Sequence, residues 1–158
     1  MNIVCFDMEG VFTPEVWINV ARKTGIDALK ITTRDEPDYD KLMKQRIGIL
    51  QENGVTLKYI QEVIASLELL DGAREFFDWV RSRSQAIIVT DSFVEFAMPF
   101  IEKLGSPLIF CHNLMVDDRG MITGYHLRQS DPANAQTHLQ WVLDHGTPTY
   151  IEYRLAKS

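Results

Sequence analysis

The chain has 158 residues, 46% of them hydrophobic and 24% charged, with a formal net charge of −6. Such a chain suits one globular domain with a proper core and a small insertion, and its acidic balance argues against a general binder of nucleic acid or anionic membrane. Two cysteines, Cys5 and Cys111, are too few for a disulfide framework. There is no secretory signal pattern at the N-terminus, and no run approaches the roughly 20 apolar residues of a membrane span, so a cytoplasmic protein is expected.

In chain order, residues 3–7 (IVCFD) form a short apolar run without alternation, the pattern of a strand covered on both faces. "TPEVWINVARKTG" reads as a helix with Thr13 as N-cap, Pro14 at the first helical position and Gly25 as the stop. Residues 26–37 are irregular. A second helix is predicted over about 38–53, with Met43, Ile47 and Leu50 at helical spacing, and Thr56 caps a third whose face is Leu57, Ile60, Ile64 and Leu67. Asp71 opens a fourth. "AIIVTDS" is a second buried strand, "FVEFAMPFIEKLG" a helix closed by Gly105, and "LIFCH" a third strand. "LMVDDRGMITGYHL" reads as a further pair of strands around an Asp-Arg-Gly turn. A helix over "ANAQTHLQWVLDHG" and a stretch of strand propensity, "TPTYIEYR", complete the chain.

This order predicts an α/β fold, a Rossmann-like parallel sheet with an inserted helical cap and an appended β-hairpin. The expected division is a core of residues 1–13 and 71–158 with a cap of 14–70. Sites in such sheets lie at the carboxyl ends of the strands, where Asp7, Glu9, Thr90, Asp91 and Ser92 fall.

Asp7 and Glu9, two positions apart after an apolar run, suit a hard divalent cation such as Mg²⁺ with oxygen ligands. Asp7 as metal ligand and nucleophile would give an aspartyl-phosphate, with Glu9 contributing its backbone carbonyl to the metal and its side chain as acid or base. Solvated residues in an ordinary turn remain the alternative. Thr90 and the N–H groups after it can bind phosphate oxygens at a helix N-terminus, although Asp91 or Ser92 as a plain N-cap fits equally. Arg46 can hold a substrate carboxylate, and Glu15 can accept from a substrate amine; alone, each reads as an ordinary helix residue. The histidines, His112, His126, His138 and His145, show no zinc-ligand spacing, and Cys111 and His112 point to opposite faces of a strand.

"FDMEGVFTPEVW", a helical insert and then "IIVTDSF" resemble the haloacid dehalogenase superfamily, most closely its phosphoserine phosphatases and phosphoserine/homoserine phosphotransferases. "KTGIDALKITTRDEPDYDKLMKQR", "IQEVIASLELLDGAREF" and "GYHLRQSDP" extend the resemblance to roughly residues 1–132. It implies Asp7 as nucleophile and metal ligand, Glu9 as acid/base and metal ligand, and Thr90 (with Asp91 and Ser92) as the phosphate-binding segment. It implies Glu15 and Arg46 as substrate-binding residues, Mg²⁺ as cofactor and a phosphorylated amino acid as substrate. No nucleic-acid or membrane partner is implied, and a homodimer is compatible with it.

After "RQSDP" the pattern departs. The family supplies a Lys or Arg on the next helix and an acidic motif after the next strand, whereas no Lys or Arg lies here between Arg128 and Arg154 and no Asp follows Asp144. A divergent or truncated C-terminus is expected, and a catalytically impaired relative that binds phosphate or a partner stands as the alternative function.

Overall fold

The computed structural model describes residues 3–128. Four strands, β1 (Ile3–Phe6), β2 (Gln85–Phe93), β3 (Leu108–Val116) and β4 (Ile122–His126), form one sheet in the order β1-β2-β3-β4. The β1–β2 and β2–β3 pairs are parallel and β3–β4 is antiparallel. Between β1 and β2 the chain inserts helices α1 (Val16–Thr24), α2 (Tyr39–Glu52), α3 (Leu57–Ala65) and α4 (Ala73–Arg81), with a short 3-10 turn at Asp27–Lys30. Helix α5 (Val94–Lys103) joins β2 to β3. This is the expected α/β fold with a helical insert and a hairpin. The segments after 128, including "ANAQTHLQWVLDHG" and "TPTYIEYR", lie outside the described residues.

Local chemistry explains several of the helix boundaries. Asp38 Oδ1 accepts the N–H groups of Asp40 (3.1 Å) and Lys41 (3.2 Å), and Thr56 Oγ1 accepts that of Tyr59 (3.3 Å), so both caps satisfy donors that helical geometry leaves unpaired. Gly25 ends α1 with φ of 72°, a left-handed conformation that a side chain would oppose. Pro99, inside α5, cannot donate to the carbonyl four residues earlier. That carbonyl, on Glu95, is taken instead by the Gln61 amide of α3 at 3.1 Å. A helix defect thus becomes a contact between the insert and the core.

Several expectations are corrected. Thr13 does not cap α1: it is buried, its hydroxyl donates to the Met8 carbonyl (3.4 Å), and the helix starts at Val16 rather than at Pro14. The cap comes from seven residues upstream, where Glu9 Oε2 accepts the Val16 N–H at 3.0 Å. Gly72, not Asp71, occupies the N-cap position of α4. The third strand does not stop at His112; β3 runs on to Val116, pairing with β2 through its first half and with β4 through its second. Nor are both sheet faces covered among the described residues. Cys5 and Leu108 (59% exposed) lie in one row through Ile87, and Ile3 (42% exposed), two residues before Cys5, shares their face, opposite the one that packs on α4 and α5.

Two apolar clusters stabilise the structure. One joins Val16, Trp17 and Val20 of α1 and Met43 and Leu50 of α2 to Phe93, Phe96 and Phe100 near α5. The other packs Met8 and Phe12 against Phe77 of α4, Ile88 of β2 and Ile101 of α5. Phe96 links insert and core directly, its ring edge-on to Trp17 at 5.5 Å and to Phe93 at 5.6 Å. Urea unfolding is expected to show a loss of about 3–5 kcal/mol for Phe96→Ala, against about 1 kcal/mol for removal of the exposed cap in Thr56→Ala.

Candidate functional site

The strand-end loop owes its shape to one carbonyl. Met8 O accepts the N–H groups of Val11 (3.3 Å), Phe12 (2.9 Å) and Thr13 (3.2 Å), and Gly10 N–H closes the turn onto Thr13 O at 2.8 Å. Gly10 has φ of 74°, so the tight reversal needs a glycine. Met8 and Phe12 are fully buried and anchor the loop in the second cluster. Their neighbours are thereby left at the surface end of the strand, Asp7 exposed and Glu9 half-buried. Asp7 Oδ1 accepts the Met8 N–H at 2.7 Å.

Glu9 is held by the Val16 N–H, at the positive end of α1. Burial raises its pKa above the ordinary carboxylate range and outweighs the Val16 hydrogen bond and the weaker influence of the Ser92 hydroxyl, both of which lower it. Asp91 and Glu15 add like-charge repulsion. Ser92 Oγ lies close enough to act on Glu9 yet makes no hydrogen bond of standard geometry.

On the neighbouring strand, Thr90 and Ser92 are buried and Asp91 is exposed. The β2–β3 register shifts between Val89 and Phe93, so this polar triplet occupies an irregularity in the pairing of the two strands. Since Phe6 pairs with Ile88, Asp7 and Thr90 lie at the carboxyl ends of adjacent parallel strands. Neither Asp91 nor Ser92 caps α5. Phe93 holds that position without a side-chain cap, while Thr90 Oγ1 accepts the Ser92 N–H at 3.3 Å.

Arg46 is only 7% exposed. Its guanidinium lies over the Trp17 ring, 4.6 Å from the centroid, and donates from Nη2 to the Ile31 carbonyl at 2.6 Å, while Nε is buried without a hydrogen-bond partner. Burial lowers its pKa to about 10, against the attraction of Tyr39, Glu9, Glu15 and Asp91, so the group stays cationic at neutral pH. That same set of charges gathers Glu9, Asp91, Glu15 and Arg46 around one place. Glu15 itself is exposed just before α1. Trp17 was not singled out from the sequence, where an aromatic at helical spacing reads as core; the Arg46 stacking partner needs the fold to bring α1 beside α2.

Asp7 with the Glu9 main-chain carbonyl makes an all-oxygen donor set, which fits part of the shell of a hard cation that keeps waters and phosphate oxygens. Among the described residues no three His, Cys, Asp or Glu side chains gather as a metal-holding group. His112 is held structurally, its Nδ1 accepting the Arg128 N–H at 3.0 Å, and His138 and His145 lie outside the described residues. No helix among the described residues is long and apolar enough to cross a membrane.

No family model matches the chain. It is 58% identical over 132 residues to phosphoserine phosphatase ThrH of Pseudomonas aeruginosa, covering 84% of this chain and 64% of that protein. A phosphoserine phosphatase of Pseudomonas syringae pv. tomato is 52% identical over 132 residues, with 84% and 56% covered. The chain thus spans less than two thirds of the length of these relatives. Among solved structures, a phosphoserine phosphatase from T. onnurineus superposes with a TM-score of 0.67 at 22% identity, covering 87% of this chain and 70% of that one. A phosphoserine phosphatase described as a phospho-aspartyl intermediate analogue gives 0.69 at 18% identity, covering 90% and 71%; these two likenesses concern the fold. Over 132 residues the chain is thus similar in sequence to two phosphoserine phosphatases, and it shares its fold with solved phosphoserine phosphatases.

Proposed function

We propose that this chain is a Mg²⁺-dependent phosphomonoester hydrolase or phosphotransferase acting on phosphoserine through an aspartyl-phosphate on Asp7. The observation that carries the reading is the convergence of Asp7, Glu9 and the Thr90–Ser92 irregularity at adjacent strand ends beneath a buried arginine. The printed names of the relatives, phosphoserine phosphatases, support the substrate. Residues 14–70 act as a cap that brings Arg46 and Glu15 to the strand ends, over a core to which 3–13 and 71–128 belong.

In this reading the Asp7 carboxylate attacks phosphorus, the bond to the serine oxygen breaks, and protonated Glu9 gives that oxygen its proton. Glu9, now a carboxylate, takes a proton from water or a second alcohol, whose oxygen bonds to phosphorus as the bond from phosphorus to Asp7 breaks and the Asp7 carboxylate is restored. The raised pKa of Glu9 suits the first half of this cycle, because it keeps the acid protonated closer to neutral pH. The Thr90 hydroxyl and the N–H groups from Asp91 onward hold phosphoryl oxygens at the start of α5, which no side chain caps. Arg46 directs its buried, unsatisfied Nε–H and positive charge to the substrate carboxylate, and Glu15 accepts from the substrate ammonium. Mg²⁺, held by Asp7 and the Glu9 carbonyl, would neutralise the repulsion between carboxylate and phosphate.

A second reading, phosphoryl-ligand binding without turnover, is favoured by the departure from the family pattern after residue 132, where no Lys or Arg occurs before Arg154. Loss of one preorganised electrostatic group lowers rates by about 10²–10³. Phosphate release from L-phosphoserine with Mg²⁺ separates the two. Turnover that falls at least about 10³-fold in Asp7→Asn supports the enzyme, and equal background release from both chains would leave binding alone.

Two further outcomes are expected. Glu9 carries a raised pKa in the folded state, so the stability it contributes is full below its unfolded value near 4.5 and is lost as pH rises through the higher folded value. The melting temperature of Glu9→Gln relative to the parent chain should therefore rise between pH 4 and pH 8; a flat difference would contradict the shift. Arg46→Ala should raise KM for phosphoserine about 10²-fold while changing that for a phosphomonoester without a carboxylate far less, measured by parallel kinetics on both substrates.

A further inference from the structure

Helix α2 carries Arg46, and the appended hairpin is tied to that helix near both of its ends. Near the first turn of α2, Tyr125 of β4 donates its hydroxyl to Asp40 Oδ1 at 2.5 Å. At the last turn, the Gln51 amide donates to the main-chain carbonyl of Ile122, at the opposite end of β4, at 2.9 Å. The two ties lie about three helical turns apart, with Arg46 between them. A third bond, from Leu57 N–H to Gly120 O at 2.9 Å, joins the hairpin turn to the start of α3. The turn is itself fixed, because Asp117 Oδ1 accepts the N–H groups of Arg119 and Met121, each at 2.9 Å.

A second tyrosine completes the link to the strand ends. Tyr39, at the first position of α2, donates its hydroxyl to the Asp91 carbonyl at 3.3 Å, and its ring meets that of Tyr125 edge-on at 6.0 Å. Tyr125 in turn packs edge-on to Phe93 at 6.1 Å. Tyr39, Met43, Arg46 and Leu50 recur at helical spacing, so the face that bears the guanidinium begins with the tyrosine that touches the phosphate-binding segment. The Asp40–Gln51 face lies beside it and meets the hairpin.

We infer that Tyr39 and Tyr125 form a two-tyrosine clasp that sets the position of Arg46 over the strand ends, making the β3–β4 hairpin a specificity-positioning element. The clasp is not a catalytic device: neither hydroxyl is free to reach substrate while bonded to Asp91 or Asp40. Its effect is on how well the substrate's carboxylate is met, leaving the phosphoryl end untouched. The ligand in this inference rests on the phosphoserine reading; the clasp itself does not.

The test uses the full 158-residue chain with Tyr39→Phe, Tyr125→Phe and the double variant, each keeping the ring and losing only the hydroxyl. Calorimetric titration with L-phosphoserine and, separately, with inorganic phosphate is combined with hydrogen exchange of the α2 amides. Each single variant should weaken phosphoserine binding about fivefold and the double roughly tenfold or more, with phosphate affinity within about twofold of the parent. Asp40→Asn, which keeps an acceptor for Tyr125, should bind like the parent, whereas Asp40→Ala should behave like Tyr125→Phe. Equal weakening for both ligands, or unchanged phosphoserine affinity in the double variant, would overturn the positioning role. If the parent chain binds neither ligand, the phosphoserine reading fails by itself. Faster α2 exchange in Tyr125→Phe would then still support the clasp, and unchanged exchange would overturn it.

Discussion

A guanidinium in the interior is the constraint around which the rest is arranged. Placing a full charge at 7% exposure costs several kcal/mol unless neighbours compensate. Arg46 receives compensation from the Trp17 face, the Ile31 carbonyl and the negative potential of Glu9, Glu15 and Asp91. The unsatisfied Nε keeps part of the cost, about 1–3 kcal/mol for a buried donor without a partner. A group left unpaired in this way favours any acceptor that arrives, which in the proposed function is the substrate carboxylate.

The same exchange explains why the insert and the sheet interlock. Trp17 belongs to α1, Ile31 to the stretch after it, Arg46 to α2, and Glu9 and Asp91 to the ends of two strands. None of these could hold the charge alone. The α1 start is capped from the strand-end loop by Glu9, α5 reaches α3 through the carbonyl that Pro99 releases, and the hairpin holds α2 at both ends. Local defects in one element are satisfied by another, which ties the elements around the site together.

Much of this was legible in the residues. Apolar spacing located α2, and apolar spacing with Thr56 as cap located α3, because those signals are local. The carboxylates and Thr90 were legible because polar residues directly after apolar strands are costly without a purpose. Less legible were features set by distant pairing. Thr13 looked like an N-cap, but the carboxylate of Glu9, seven residues before Val16, took that role and left Thr13 buried. In the sequence the third strand reads as the short apolar run ending at His112, whereas two different partners carry β3 on to Val116. Trp17 and the tyrosine clasp were invisible for the same reason, since an aromatic at helical spacing looks like any core residue until a second helix supplies its partner. The exposure of Ile3 and Leu108 also escaped, because an apolar run says what a strand can bury, not which faces are covered.

The claim that Asp7 is the nucleophile is tested most directly by acid-quenching the chain during incubation with L-phosphoserine and Mg²⁺ and mapping its peptides by mass spectrometry. A phosphoryl group on Asp7, labile to hydroxylamine and absent from Asp7→Asn, is the expected result. Phosphate release with Asp7 unmodified at every quench time, in a chain whose release does not depend on Asp7, would contradict it.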